Sequence, residues 1–200
     1  IAHAQTPPKG TIPDAPYKIG HMTFFTGPAA VLGEHMFKGQ QLAAEEINAA
    51  GGLLGKRKIE LFKADEAAGT DANVKEMRRL RLSEKIDFFC GITSSGNTPA
   101  LGPVAEELKL LTMFVDGCTD FLFDKAVPNP HYVFRTTNIQ SADGVTTALA
   151  IAQTWPKAKR VAHIHPDYSY GRNAFDHIKI VMKKMMITRV STRACGCRSM

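Results

Sequence analysis

The stretch "CGITSSGNTPALGPVAEEL", Cys90–Leu108, decides how this chain is read. Before it stands "KIDFF" (85–89), a short apolar run with the look of a buried strand, and Pro99 to Leu108 has helical spacing. Between them sit Thr93, Ser94, Ser95, Gly96 and Asn97, a cluster of small hydroxyl and amide side chains. A Ser or Thr at a helix start caps the free N–H groups there. The same N–H groups, at the positive end of the helix dipole, attract a carboxylate or phosphate. A simple helix cap and a cradle for an anionic ligand group both remain open at this point.

The pattern extends in both directions. Strand-like runs occur at "YKIGHMTFF" (17–25), "KIELFKAD" (58–65), "IDFFCG" (86–91), "LLTMFVD" (110–116), "HYVFRT" (131–136) and "RVAHIH" (160–165). Helical spacing occupies 33–50, 71–83, 99–108, 141–155 and 169–185. Strands alternating with helices of ten or so residues predict an α/β fold with a parallel sheet covered on both faces. In such sheets ligands bind beyond the carboxyl ends of the strands. The loops there are "FFTGPAA" (24–30), "DEAAGTD" (65–71), "GITSSGN" (91–97) and "DGCTD" (116–120), all rich in small or polar residues.

Composition narrows the function classes. The 200 residues are 44% hydrophobic and 22% charged, the balance of a globular protein. The net charge is +6, but Met186–Met200 alone holds three arginines and no acid, leaving +3 for the rest. Elsewhere the charges alternate in sign, and no basic stripe with interleaved aromatics marks a nucleic-acid surface. No apolar run reaches the roughly 18 residues of a membrane span. The N-terminal Ala2-His3-Ala4 has the small-x-small form cut by signal peptidase, and the Pro-rich segment through Pro16 reads as a flexible leader. Cys90 and Cys118 follow apolar runs and read as small buried residues.

Sharper chemical motifs fail on spacing. "GGLLGKR" (51–57) lacks the Ser/Thr after its Lys and follows a helix, unlike a P-loop. "GPAAVLG" (27–33) is not G-x-G-x-x-G, so a dinucleotide site is unsupported. "GITSSG" does not have the spacing of a nucleophile elbow. His163 and His165 share a strand face near Asp167, but a metal needs three or four converging ligands. None of these motifs supports a nucleotide site, a catalytic nucleophile or a metal.

Several separated motifs, in order, carry a family resemblance. "YKIGHMTFFTGPAAVLGEHMFKGQQLAAEEINAAGGLLGKRKIEL" resembles the opening of a type I periplasmic solute-binding protein, on the Leu/Ile/Val-binding branch that serves ABC transporters. "SSGNTPA", "FRTT" and "RVAHIHPDYSYGRNAF" continue the similarity, which spans Tyr17 to about Met185. The resemblance implies a parallel, Rossmann-like sheet in each of two lobes that close on a small solute. Carried over, the ligand contacts are Ser94, with Ser95 in the same loop, Gly117, Thr119 and, from the second lobe, Tyr170. Leu32 stands where some relatives place an aromatic ring over the ligand. Some relatives join two cysteines between loops matching Ala67–Ala68 and Thr93; neither is present here, so no such disulfide is expected. The implied role is capture of an amino acid, amide or small organic acid in the periplasm and delivery to a membrane ABC permease, with a ligand-sensing regulator on the same fold as the alternative. The implied organisation is a leader at 1–16, a first lobe at 17–137, an incomplete second lobe at 138–185 and an aberrant tail at 186–200. That tail, "MITRVSTRACGCRSM", shows no clear periodicity and reads as a shifted frame, with a metal-binding Cys195-x-Cys197 tail as the alternative; a shifted frame would leave the strand 160–165 without sheet neighbours.

Overall fold

The computed structural model describes residues 10–185 and the backbone of 189–195. Five strands, β1 (Tyr17–Thr23), β2 (Ile59–Asp65), β3 (Phe88–Gly91), β4 (Leu111–Phe114) and β5 (Val133–Arg135), form one sheet in the order β2-β1-β3-β4-β5. Every adjacent pair is parallel. Parallel neighbours require crossover connections, and three helices supply them: α1 (Ala30–Ala49), α2 (Thr70–Leu82) and α3 (Thr98–Glu107). The chain leaves β4 for β5 through a single π-type turn, Leu122–Ala126.

These elements form because their apolar periods match the surfaces they cover. α1 buries Gly33, Phe37 and Ala44, at spacings of four and seven. Its start lies so close to β1 that a Cβ on Gly33 would meet the Phe24 carbonyl oxygen at 2.0 Å, so glycine is required there. α2 buries Met77 and Leu80, and α3 buries Leu101, Val104 and Ala105. With Met22, Phe89, Leu110 and Phe114 these side chains make one continuous core. A buried aromatic of this kind is worth roughly 3–5 kcal/mol against its alanine variant.

Beyond Arg135 the chain crosses to a second unit. It consists of α4 (Gln140–Thr154), β6 (Arg160–Pro166), α5 (Ser169–Lys184) and β7 (Arg189–Cys195). α4 and α5 pack through Ala148, Ile178 and Met182. β6 and β7 pair in parallel from Arg160↔Arg189 to Pro166↔Cys195. This corrects the expectation of a lone strand at 160–165: residues 189–195 carry no clear apolar period, but a ladder is made by backbone N–H and C=O groups that almost any sequence carries. Residues 186–188 and 196–200 of that tail lie outside the described residues.

The leader is corrected in part. Residues 1–9 lie outside the described residues, but 12–16 are fastened to the turn after α1. Lys56 Nζ donates to the Ile12 carbonyl at 3.1 Å and pairs with Asp14 at 2.7 Å. Arg57 donates to the carbonyls of Ala15 and Pro16 at 2.8 and 2.9 Å. Among the described residues no helix is long and apolar enough to cross a membrane.

Candidate functional site

The loop after β3 is built around an internal anion. Glu66 opens a short 3₁₀ turn at the end of β2 and is 1% exposed. Its Oε2 accepts the Thr93 N–H at 2.8 Å, and its Oε1 accepts the Ser94 N–H at 2.9 Å and the Asn97 side-chain amide at 2.8 Å. Burial pushes the Glu66 carboxyl up, the three donors pull it down, and nearby Asp116 adds to the upward push. Two of the backbone donors expected to cradle a ligand's acid group, the N–H groups of Thr93 and Ser94, are thus already occupied. Neither serine caps α3 either: Asn97 holds that position, while Ser94 Oγ accepts the Gly96 N–H at 3.2 Å.

What remains available is a set of hydroxyls. Ser94 and Ser95 are each 2% exposed and Thr119 is fully buried. Ser94 Oγ and Thr119 Oγ1 accept hydrogen bonds, Thr119 from the Phe121 N–H at 3.4 Å and from Asn173 Nδ2 at 3.3 Å. Neither donates its own proton to a described protein group. Ser95 Oγ pairs with Cys118 Sγ at 4.0 Å, and either atom can donate. A hydroxyl carries one donor and two acceptor lone pairs, so the protons of Ser94 and Thr119, and that of Ser95 apart from the sulfur, have no nitrogen or oxygen acceptor among the described residues.

The loop after β4 forms the adjoining wall. Gly117 sits at φ +66° with its N–H on Asp116 Oδ1 at 2.8 Å, and an added Cβ would meet Thr98 Cγ2 at 2.6 Å. Thr98 Oγ1 donates to the Gly117 carbonyl at 3.3 Å. Arg135 Nη1 donates to the Thr119 carbonyl at 2.7 Å, which ties this loop to the end of β5.

The second unit reaches the same place through the start of α5. Asn173 bonds Thr119, and Ser169 Oγ lies 3.6 Å from where Gly96 would carry a Cβ. Gln140, at the start of α4, donates its N–H to the Cys118 carbonyl at 2.9 Å and its side-chain amide to the Tyr170 carbonyl. Asp120 accepts the Ser141 N–H at 2.9 Å and so caps α4 from the first unit. Tyr170 Oη donates to Asp143 at 3.3 Å, and its ring stacks on Tyr168 with centroids 6.2 Å apart. Burial, then Asp116, Tyr170, Cys118 and Glu66, push the Tyr168 hydroxyl up to about 12.

All five sequence-predicted residues therefore gather around Cys118. Sequence reasoning missed Glu66, Asp116 and Tyr168. Asp116 and Glu66 stand in the loops it singled out, and Tyr168 is two residues from Tyr170, but nothing local shows that these side chains turn inward. Leu32 is half exposed near the start of α1. His163 and His165 stack with Phe175 at centroid distances of 5.3 to 6.0 Å rather than converging on a cation. A cavity of about 320 Å³, lined by Phe24, Thr26, Glu66, Thr70, Gly96 and Asn97, lies against the serine loop, and none of the five lines it. The Cys118 side is the better candidate, because polar groups of both units bond there, Asn173 to Thr119 and Gln140 to the Cys118 carbonyl.

Strand-end loops of two parallel-sheet units, facing each other across a crossover, make the type I periplasmic-binding-protein fold. The family model "Periplasmic binding protein" matches residues 16–194, and the chain belongs to that family. The Leu/Ile/Val-binding protein homolog 7 of Brucella melitensis is 30% identical over 188 residues, covering 90% of this chain and 46% of the relative. The branched-chain amino acid transporter substrate binding protein LivJ of Streptococcus pneumoniae, solved with isoleucine, superposes with a TM-score of 0.74 at 25% identity, over 90% of this chain and 50% of that one. An ABC-transporter solute binding protein of R. palustris, solved with benzoate, gives 0.77 at 24% identity, over 90% and 49%. The chain spans about half the length of the curated relatives it matches.

Proposed function

We propose that this chain provides the first lobe, 17–137, and the opening of the second, from 138, of a periplasmic solute-binding protein that hands an amino acid, amide or small organic acid to a membrane ABC permease. The observation that carries this reading is the set of three buried hydroxyls, Ser94, Ser95 and Thr119, whose protons have no nitrogen or oxygen acceptor among the described residues. Three converging O–H donors suit the acceptor-rich end of a small solute. Gly117 keeps the backbone low beside them, and Tyr170 closes the opposite side. The site offers binding groups and no activated nucleophile, so the solute leaves chemically unchanged. Only part of a two-lobed cleft is supplied by this chain, and affinity falls when contacts and closure are lost.

Titration of the chain with leucine, followed by amide NMR shifts of the 93–97 and 117–119 loops, tests the reading. Ser94→Ala should weaken binding by about 1–3 kcal/mol, the range for a hydrogen bond to a charged group. Unchanged affinity would remove Ser94 from the site. Fractionation of cells expressing the precursor tests the compartment: retention in the cytoplasm counts against a capture role.

A further inference from the structure

The three hydroxyls are not equivalent. Ser94 Oγ accepts one hydrogen bond, from the Gly96 N–H, and Ser95 Oγ pairs with the Cys118 sulfur. Thr119 Oγ1 accepts two, from the Phe121 N–H at 3.4 Å and from Asn173 Nδ2 at 3.3 Å. A hydroxyl oxygen has two lone pairs, so both are taken and Thr119 presents only its proton. Its main chain is fixed as well, by Arg135 Nη1 on the carbonyl at 2.7 Å. One of the two donors to Oγ1 belongs to the turn of Thr119 itself; the other crosses from the second unit. Packing sets the place of Asn173. α5 lies so close to α4 that a Cβ on Gly144 would meet His177 Cβ at 2.6 Å and the Ala174 carbonyl oxygen at 3.0 Å. One helical turn beyond Asn173, His177 Nε2 lies 4.0 Å from Asp120 Oδ2. α5 thus brings two side chains, four residues apart and so on one face, to consecutive residues of the first unit.

We infer that Asn173 is a positioning residue of this site: by donating to Thr119 Oγ1 across the junction of the two units, it commits the Thr119 hydroxyl to donation, so that the solute must offer an acceptor there. This rests on the solute-binding reading above and deepens it. Thr119 is fully buried with Asn173 docked on it. A buried donor without an acceptor is destabilising, and a carboxylate or carbonyl oxygen of the solute supplies what is missing. Docking of the second unit on Thr119 and capture of an acceptor are therefore linked. A solute that brings an N–H group to the same point meets no free lone pair.

The test is a double-mutant cycle, read by NMR titration of the 200-residue chain with leucine. Asn173→Asp keeps the size of the side chain but exchanges its donor for an acceptor, which takes the Thr119 proton for itself. It should weaken leucine binding about fivefold or more in the otherwise unaltered chain, and less than about twofold in Thr119→Ala, where no hydroxyl remains to be turned. Added negative charge or a disturbed α5 would weaken binding equally in both backgrounds; that outcome overturns the inference, as does unchanged affinity in Asn173→Asp. Asn173→Ala gives a second reading if either of those variants fails to fold. It opens a lone pair on Thr119 and leaves the proton, so the preference for leucine over 3-methylbutylamine, which carries no acceptor, should fall. An unchanged preference counts against Asn173 and leaves the solute-binding reading standing. If leucine moves no amide of the 93–97 and 117–119 loops in the unaltered chain, the solute-binding reading falls and the role of Asn173 falls with it.

Discussion

The two units of this chain share one sequence rhythm, strand then helix, and reach very different degrees of burial. In the first, β1, β3 and β4 are each paired on both sides, and Phe89, Phe114, Leu80 and Leu101 are fully buried. In the second, β6 and β7 have only each other among the described residues, and Ile164 is 73% exposed. Among the described residues its buried apolar side chains are Ala148, Ala174, Ile178 and Met182. A helix covers core only if a sheet wide enough to receive it lies beneath, and two strands are marginal support. Local pattern thus specifies an element, while the number of paired neighbours decides how firmly it is held.

That contrast can be broken by mutation. Phe89→Ala should produce the largest loss, about 3–5 kcal/mol, read as a drop in the urea midpoint of the first unit. Met182→Ala in the same assay should leave that midpoint unmoved while loosening α4 and α5; a shift of the first unit's midpoint would show that the two melt as one.

Acid should also strike the first unit. His21 lies in β1, 1% exposed, between the rings of Phe25 and Phe37, and burial lowers it from 6.5 to about 4. The folded state therefore disfavours the proton that the unfolded chain accepts. The stability from a neutral His21 is complete above pH 6.5, falls as the pH drops towards 4, and the total loss is about 3 kcal/mol. Glu66, whose carboxyl is held up, acts in the opposite sense. The measurement is accordingly the difference between the chain and His21→Leu across pH 7 to 4; parallel curves would refute the assignment to His21.

Glu66→Gln is expected to have the smallest effect on stability, about 1–3 kcal/mol, because the amide retains one acceptor oxygen for three donors. Its signature is local. Amide exchange at Thr93 and Ser94 should speed up well beyond the change in global stability, and equal acceleration throughout the first unit would show that Glu66 is no special fastening for the loop.

The sheet was legible because burial leaves a period in sequence. Strands expected at 17–25, 58–65 and 160–165 are observed at Tyr17–Thr23, Ile59–Asp65 and Arg160–Pro166, and the five helices start and stop close to where apolar spacing puts them. The loops that end at Cys118 were also legible, as clusters of small polar residues at strand ends. The partner of the serine loop was not. Glu66 reaches Thr93, Ser94 and Asn97 across 27, 28 and 31 residues, and no periodicity spans such a gap. β7 was missed for a related reason: Val190 and Thr192 favour strands, but three scattered arginines hide the pattern, and the pairing itself is made by the backbone.

The manner in which Glu66 holds its loop has a consequence for how such a site diversifies. Two of its three bonds go to main-chain N–H groups, which every residue except proline provides. The side chains of Ser94 and Ser95 take no part in that fastening. A lineage can therefore exchange those hydroxyls for other groups, one codon at a time, without dismantling the scaffold that presents them. Shape is inherited through the carboxylate and the peptide chain, and taste for a solute is left free to drift. A saturation library at 94 and 95 should contain mostly folded members, whereas one at 66 should contain few.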